Sequence, residues 1–505
     1  MGGPVVPRVT VHQITAAGGI AKLIVGLVET VRANPQMELR EKAVAALRSL
    51  AVQQNATESA SNPVLIAETG LPPLVELLKS GSTLAQTHAA ATLAIVSRCS
   101  EAHPLAIAKL GGIEYLVGIL RSGANSAQEQ AAATVASISR VAANQLPIIQ
   151  AGAIAPLVQL LKTGSSEAQM HAAEAVGNLA RQPEGQELVQ KANGIPKLLV
   201  LLGSGAGVEV ARALALLAHE NESIQKEVCM LDGIAQLLAL LSGINTDAQA
   251  MASLAIAELA SGANGKNRKR AQDAIAKAGG IGPLLQLMES RYPLVVCESV
   301  NAIAMVARGN RANQEIIASM GGIKPLVELS QASRGEHVGG GTNPDFVQAN
   351  ACLALSCVCR NNEPNQSAVA DLGALPRLAI LCKPTQSASS STVLLAPASG
   401  AAAAAAAAAA DLVGPLREAK ALAFAAASNH YAPDKAFPVA FVAAEAAGAL
   451  WSLSEGHEAN KVSIAGSQAI PTLVGLLGSP NERAQRHGAA RSCRFRSGSW
   501  ITRSR

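Results

Sequence analysis

Five arginines share one register along this 505-residue chain: Arg98, Arg140, Arg181, Arg308 and Arg360. Each closes an Ala-Leu-rich block, such as Leu93–Arg98, Val135–Arg140 or Val176–Arg181. Of the nine equivalent positions, Val52, Arg98, Arg140, Arg181, His219, Ser261, Arg308, Arg360 and Glu455, five are arginine. Lys and Arg together are 41 of 505 residues, so composition alone accounts for fewer than one. A guanidinium fork binds carboxylate or phosphate through paired, charge-assisted hydrogen bonds. The row therefore reads as an anion-binding edge. The competing reading is structural: each arginine ends a helix and offsets the negative end of its dipole, worth about 0.3–1 kcal/mol when exposed. One residue can do both.

Other reactive side chains carry less. Cys352, Cys357 and Cys359 cluster on one helix without zinc spacing and read as small buried side chains. His88, His171 and His487 recur at one register position with no second ligand at fixed spacing, so they mark the repeat and not a metal. The run Lys266 to Arg270, KNRKR, is either a nuclear localisation signal or a solvated loop; the loop is the expectation. No glycine-rich phosphate loop, catalytic Ser/His/Asp pattern or metal motif stands in register. The chain is expected to be non-enzymatic and to need no cofactor.

The elements that position the arginines repeat. A Gly-Gly-Ile signal and a leucine-rich segment alternate with the arginine blocks, with the aliphatic residue at Ile20, Leu71, Ile113, Ile154, Ile195, Ile234, Ile281, Ile323, Leu375 and Ile470. The steps are 51, 42, 41, 41, 39, 47, 42, 52 and 95 residues. A period of roughly 40–47 residues signals a helical solenoid.

One unit, Asn144–Arg181, shows the plan. Asn144 and Gln145 cap a short first helix, Leu146–Ala151, which Gly152 stops. A second helix starts at Ala153–Pro156, with proline in its first turn. After a turn at Thr163–Ser166, a third helix runs from Ala168 to Arg181. Taking Glu174 as anchor, the positions two and five further on are aliphatic in all nine units, from Leu47 and Leu50 to Leu450 and Leu453. They face away from the anchor and form the core. The anchor, +4 and +7 positions share the opposite face and are expected to meet solvent in every unit.

Composition agrees. Half the residues are hydrophobic but only 2% are aromatic, so the core is aliphatic and base-stacking surfaces are scarce. The net charge of +5 comes from seven arginines at or after Arg483, leaving −2 for the rest. The eight cysteines lack a disulfide framework, which points to an intracellular, reducing setting, cytoplasmic or nuclear. Met1 to Val11 lacks the apolar core of a signal peptide, and no segment reads as a membrane span.

The three-helix unit, its period, and Ala446-Ala447-Gly448-Ala449-Leu450-Trp451-Ser452-Leu453 resemble armadillo repeats, over residues 12–383 and 441–490. The resemblance implies an all-α, right-handed superhelical solenoid of about nine to ten repeats. It also implies a scaffold whose third helices line a concave groove for extended peptides. The importin-α type holds basic signals with Trp at the anchor and Asn at +4. Here the anchors are Ala45, Ala91, Ala133, Glu174, Arg212, Leu254, Asn301, Leu353 and Gly448, and only Asn178 matches at +4. A nuclear transport adaptor is therefore the secondary reading, with a nucleic-acid binder acting through the arginine row as another. The leading one follows the β-catenin-like type: a basic groove for an acidic or phosphorylated segment. Its contact residues are Arg98, Arg140 and Arg181, with Arg308 and Arg360 further along and Asn178 holding peptide backbone.

The domain reading is repeats over 1–383, a Ser/Ala-rich insertion over 384–440, further repeat over 441–490, and a basic tail over 491–505. Both ends look cut: His12–Ala17 resembles the end of a first helix, and the pattern breaks after Ala490.

Overall fold

The computed structural model describes residues 19–52, 61–331, 344–381 and 439–467. Most of the 384–440 insertion, the 491–505 tail, His487 and both chain ends lie outside them. Every element described is an α-helix, and the helices stack in threes as an all-α solenoid. The chain divides into two compact units, Met1–Leu231 and Asp232–Arg505.

The unit Asn144–Arg181 folds on the expected plan. Its helices are Ala142–Gln150, Ile154–Thr163 and Ser166–Leu179. The first two meet at 86°, and in the preceding repeat, Ala102–Lys109 meets Gly112–Ser122 at 78°. The Gly-Gly-Ile signal makes that corner. Gly111 adopts φ +79°, the left-handed conformation in which a helix commonly ends. A β-carbon on Gly112 would lie 2.7 Å from Ile107 Cγ2 and 2.8 Å from its carbonyl oxygen, so only glycine lets the second helix start there. Asn193 and Asp232 replace the first glycine with φ of 57° and 59°; Asn and Asp tolerate that region best among L residues. The repeat at Ser61–Ser80 departs from the plan. There one continuous helical run contains Pro72 and Pro73, with no break before Leu71.

The core is where the pattern puts it. Of the eighteen aliphatic third-helix positions, seventeen are buried, and Leu50 is half-buried. Alanines at the flanks let neighbouring third helices come close. Gly177 takes this furthest: a β-carbon there would sit 3.1 Å from Ala213 Cα on the next third helix, Gly207–Ala218.

A second, polar core runs along the first helices. Asn144 and Gln145 do not cap the helix start, as expected from sequence. They lie buried inside Ala142–Gln150, at the N-cap of which stands Val141. Asn144 donates to the Pro104 and Ile138 carbonyls, both at 3.1 Å, and Gln145 to the Ser139 carbonyl at 3.1 Å. The same device reaches forward to the third helix of the same repeat. Gln186 donates to the carbonyls of Leu216 and His219. In the second unit Gln272 takes Met305 and Arg308, Gln314 takes Cys357 and Arg360, and Gln366 takes Ser452 and Glu455. Each pair is the +4 and +7 carbonyl of a third helix, groups that a helix end leaves without an internal partner. Asn313, Asn365 and Asn460 bind carbonyls near the ends of the preceding repeats' third helices, at Val306, Val358 and Leu453.

Candidate functional site

In the first unit the third helices Met37–Val52, Thr83–Val96, Asn125–Ile138, Ser166–Leu179 and Gly207–Ala218 pack side by side, and their outer faces form one surface. Charge on it is sorted by helix end. Acids stand near the helix starts: Glu41, Glu129, Glu167 and Glu209. Arg98, Arg140 and Arg181 stand at the helix ends, all exposed. Each follows the C-cap residue, Ser97, Ser139 or Ala180, so the arginines lie just past the last turn and not within it. The side chains project from tight turns; the Arg98 backbone N–H, for example, donates to the Ile95 carbonyl at 3.1 Å.

The acids are partly committed to the fold. Ser82 and Ser165 are N-caps of their helices, each accepting from the backbone N–H three residues on. Their hydroxyls donate to acids of the preceding repeat, Ser82 to Glu41 and Ser165 to Glu129 Oε2, the latter at 2.6 Å. Glu174 pairs with Arg212 across the last two third helices at 3.8 Å. Arg98 and Arg140 are less committed. Arg98 Nε donates to Ser137 Oγ of the next repeat at 3.1 Å, which fixes the side chain but leaves both terminal nitrogens of the fork outside that bond. Arg140 makes no hydrogen bond or ion pair among the described residues.

The expectation that +4 positions meet solvent in every unit fails, although Ser49 is exposed. Ser137, Asn178, Met305, Cys357 and Ser452 are all buried there. Asn178 is 3% exposed, and its amide donates to the Ala136 carbonyl at 3.0 Å and to Ser139 Oγ at 3.2 Å. Its donors tie two repeats together instead of facing a groove. The physical reason is the close approach of alanine-flanked helices, which closes the gap that a bulky anchor residue would hold open.

In the second unit the row behaves differently. Arg360 is half-buried, lies 4.8 Å from the centre of the Trp451 ring, and comes within 3.9 Å of Glu455. Trp451 is 4% exposed and takes part in an inter-repeat contact with Arg360. Arg308 is half-buried at the end of Pro293–Ala307. Lys266–Arg270 is not a loop: it opens a first helix, Gly265–Lys277, capped by Asn264. Glu298 on Pro293–Ala307 has its carboxyl pushed up to about 7, by desolvation first and by neighbouring Glu258 second, against a hydrogen bond from Asn301.

The histidines follow the register, and burial depresses both His88 and His171. Cys297, Cys352, Cys357 and Cys359 are buried free thiols. No cluster able to hold a metal occurs among the described residues. Nor, among them, is any single helix long and apolar enough to cross a membrane.

The buried glutamines were missed from sequence, although a signal was there. Gln145, Gln186, Gln225, Gln272, Gln314 and Gln366 are spaced 41, 39, 47, 42 and 52 residues apart, the same steps as the isoleucine markers.

A family model, the plant U-box protein ARM repeat region, matches residues 10–255. A search of curated proteins returns no match. Among solved structures, an engineered protein from the Northeast Structural Genomics Consortium is 26% identical, with a TM-score of 0.65, over 93% of this chain and 97% of its own. A second engineered protein from the same consortium is 32% identical over 47% of this chain and 96% of its own, with a TM-score of 0.44. The three-helix register, its glycine corners, the matched family model and the first of these structures agree on an armadillo-repeat solenoid.

Proposed function

We propose that this chain is a protein-interaction scaffold that holds an extended acidic or phosphorylated segment of a partner along the third helices of its first unit. Armadillo repeats are a non-catalytic scaffold kind and bind protein partners. The observation that carries the finer reading is the exposed edge of Arg98, Arg140 and Arg181, with Arg140 unpartnered among the described residues and Arg98 held in place by Ser137. Three guanidiniums on successive repeats offer repeated bidentate sites to carboxylate or phosphate. Helix-end stabilisation alone does not require a charge to be oriented by a neighbouring repeat. Arg308 and Arg360 are left out of this contact: Arg360 is already stacked on Trp451 and faces Glu455.

A basic partner segment finds less on this surface. Glu41 and Glu129 accept from serine caps, Glu174 faces Arg212, and Asn178 is buried. Nucleic acid finds few aromatic faces to stack on. The free thiols support an intracellular, reducing setting, cytoplasmic or nuclear. The test is a peptide array of acidic, phosphorylated and basic segments probed with the full chain. Acidic and phosphorylated segments are expected to bind at low salt; selective capture of basic segments overturns the proposal.

A further inference from the structure

The first helix Gly265–Lys277 is longer than its counterparts. It has 13 residues, whereas the other first helices described have 8 or 9. The added residues are at its start. Elsewhere the N-cap stands four residues before the buried glutamine: Gln182 before Gln186, Asn221 before Gln225, Asn310 before Gln314 and Asn362 before Gln366. Here Asn264 stands eight before Gln272, so residues 265–268 are one extra turn. The core of the repeat does not need that turn, because the buried residues of the helix begin at Ala271.

The charge of this start is reversed as well. Glu184, Glu222, Glu363 and Glu458 stand in the first turns of other first helices, where an acid complements the positive end of the dipole. Lys269 takes the place of Glu222 and Glu363, and the first turn of Gly265–Lys277 contains no acid. Lys266, Lys269 and Arg270 are i, i+3 and i+4, so they share one face within about 6 Å along the axis. All three are exposed, and their side chains make no hydrogen bond or ion pair among the described residues. The turn that carries them is fixed. Asn264 accepts from the Lys266 backbone N–H at 3.0 Å, and Arg268 Nη1 donates to the Gly262 carbonyl at 3.0 Å. Three cations near the positive end of a helix dipole oppose the fold, yet an added, capped turn holds them in place. A face ordered in advance spares a partner the cost of ordering it.

We propose that Lys266, Lys269 and Arg270 form a docking face for a carboxylate-rich segment of a partner protein. Charge complementarity selects the acidic partner. The face is too short for a polyanionic strand: Asp273, exposed one turn further on, ends it with a negative charge and accepts from Asn310 at 2.7 Å. A membrane surface finds no apolar anchor, since Ala271 and Ile275 are buried and none of the large exposed hydrophobic residues belongs to this helix. Because the run is helical, it presents a folded face and not an extended basic signal. The site lies in the second unit and does not depend on Arg98, Arg140 and Arg181.

The test is lysine acetylation of the full chain at low salt, read at each residue by peptide mass spectrometry. The probes are an oligo-glutamate peptide, an oligo-glutamine peptide of equal length, a single-stranded oligonucleotide, and phosphatidylcholine vesicles containing phosphatidylserine. Oligo-glutamate is expected to protect Lys266 and Lys269 together and to leave exposed Lys109 of the first unit reactive. Arg270→Glu replaces an attraction with a repulsion, so protection of both lysines should then need at least about tenfold more oligo-glutamate. The same variant puts an acid near the helix start and should melt no lower than the parent, whereas a cation that served the fold would be missed. Equal protection by oligo-glutamine, stronger protection by the oligonucleotide or the vesicles, no protection, or an unaltered response or lower melting temperature in Arg270→Glu each overturns the docking face. An Arg98→Glu/Arg140→Glu/Arg181→Glu chain should give the same protection pattern, which separates this site from the first-unit contact.

Discussion

Arg140 and Asn178 both come from the face opposite the aliphatic core, yet the fold uses them in opposite ways. Arg140 stands past a helix end with its fork exposed, while Asn178 is sealed between repeats with both donors taken. Helical periodicity gave both the correct face but could not say how near the next helix comes. That distance depends on alanine and glycine in the neighbour, as at Gly177 and Ala213. Asn178→Ala should therefore cost stability, about 1–3 kcal/mol for buried groups left unpaired, with acidic-segment affinity unchanged. Arg140→Glu should do the reverse. Denaturant melts beside a binding titration separate the two. Glu298 gives a pH signature. Its carboxyl titrates near 7 in the fold against an ordinary 4.5, so the folded state holds its proton more tightly. Its contribution to stability is intact below pH 4.5 and is lost as pH rises through 7. Glu298→Gln should raise the melting temperature at pH 8 and match the parent at pH 4; melts across that range check the sign.

At the scale of elements, the three-helix repeat was readable because its signals are local. Gly111 and Gly112 mark a corner by backbone conformation and close approach, and the aliphatic pairs mark a core by period. The polar spine was not read, because a glutamine looks exposed on a single helix. Only carbonyls of its own repeat's third helix, remote in sequence, together with the end of the preceding one, explain Gln314 at 1% exposure. Gln314 serves the Ala307, Cys357 and Arg360 carbonyls and accepts from Asn362 at 3.1 Å. Gln314→Leu should destabilise the second unit by at least about 1–3 kcal/mol, since partners stay buried without hydrogen bonds. Gly177→Ala tests the small-residue contact. Alanine favours a helix interior over glycine by about 1 kcal/mol. Here the new methyl meets backbone of the next third helix, and overpacking of about 1–3 kcal/mol should win. Equilibrium unfolding reads both; a stabilised Gly177→Ala would show that the neighbouring helix yields.

At the scale of the molecule, two units built on one repeat present different surfaces. In the first, arginines at successive helix ends stay exposed. In the second, Arg360 is folded onto Trp451 and Arg308 is half-buried. The arginine count in the sequence treats these alike; only side-chain surroundings separate them. Binding driven by the exposed edge should weaken steeply with salt, because solvent-facing charges are screened over about 8–10 Å at physiological ionic strength. The most direct measurement is the affinity of one acidic segment from the array for the full chain and for its Arg98→Glu/Arg140→Glu/Arg181→Glu variant. The account predicts near-complete loss of binding with the fold intact by circular dichroism. Undiminished affinity in a folded variant would contradict it and leave the three arginines as helix-end structure.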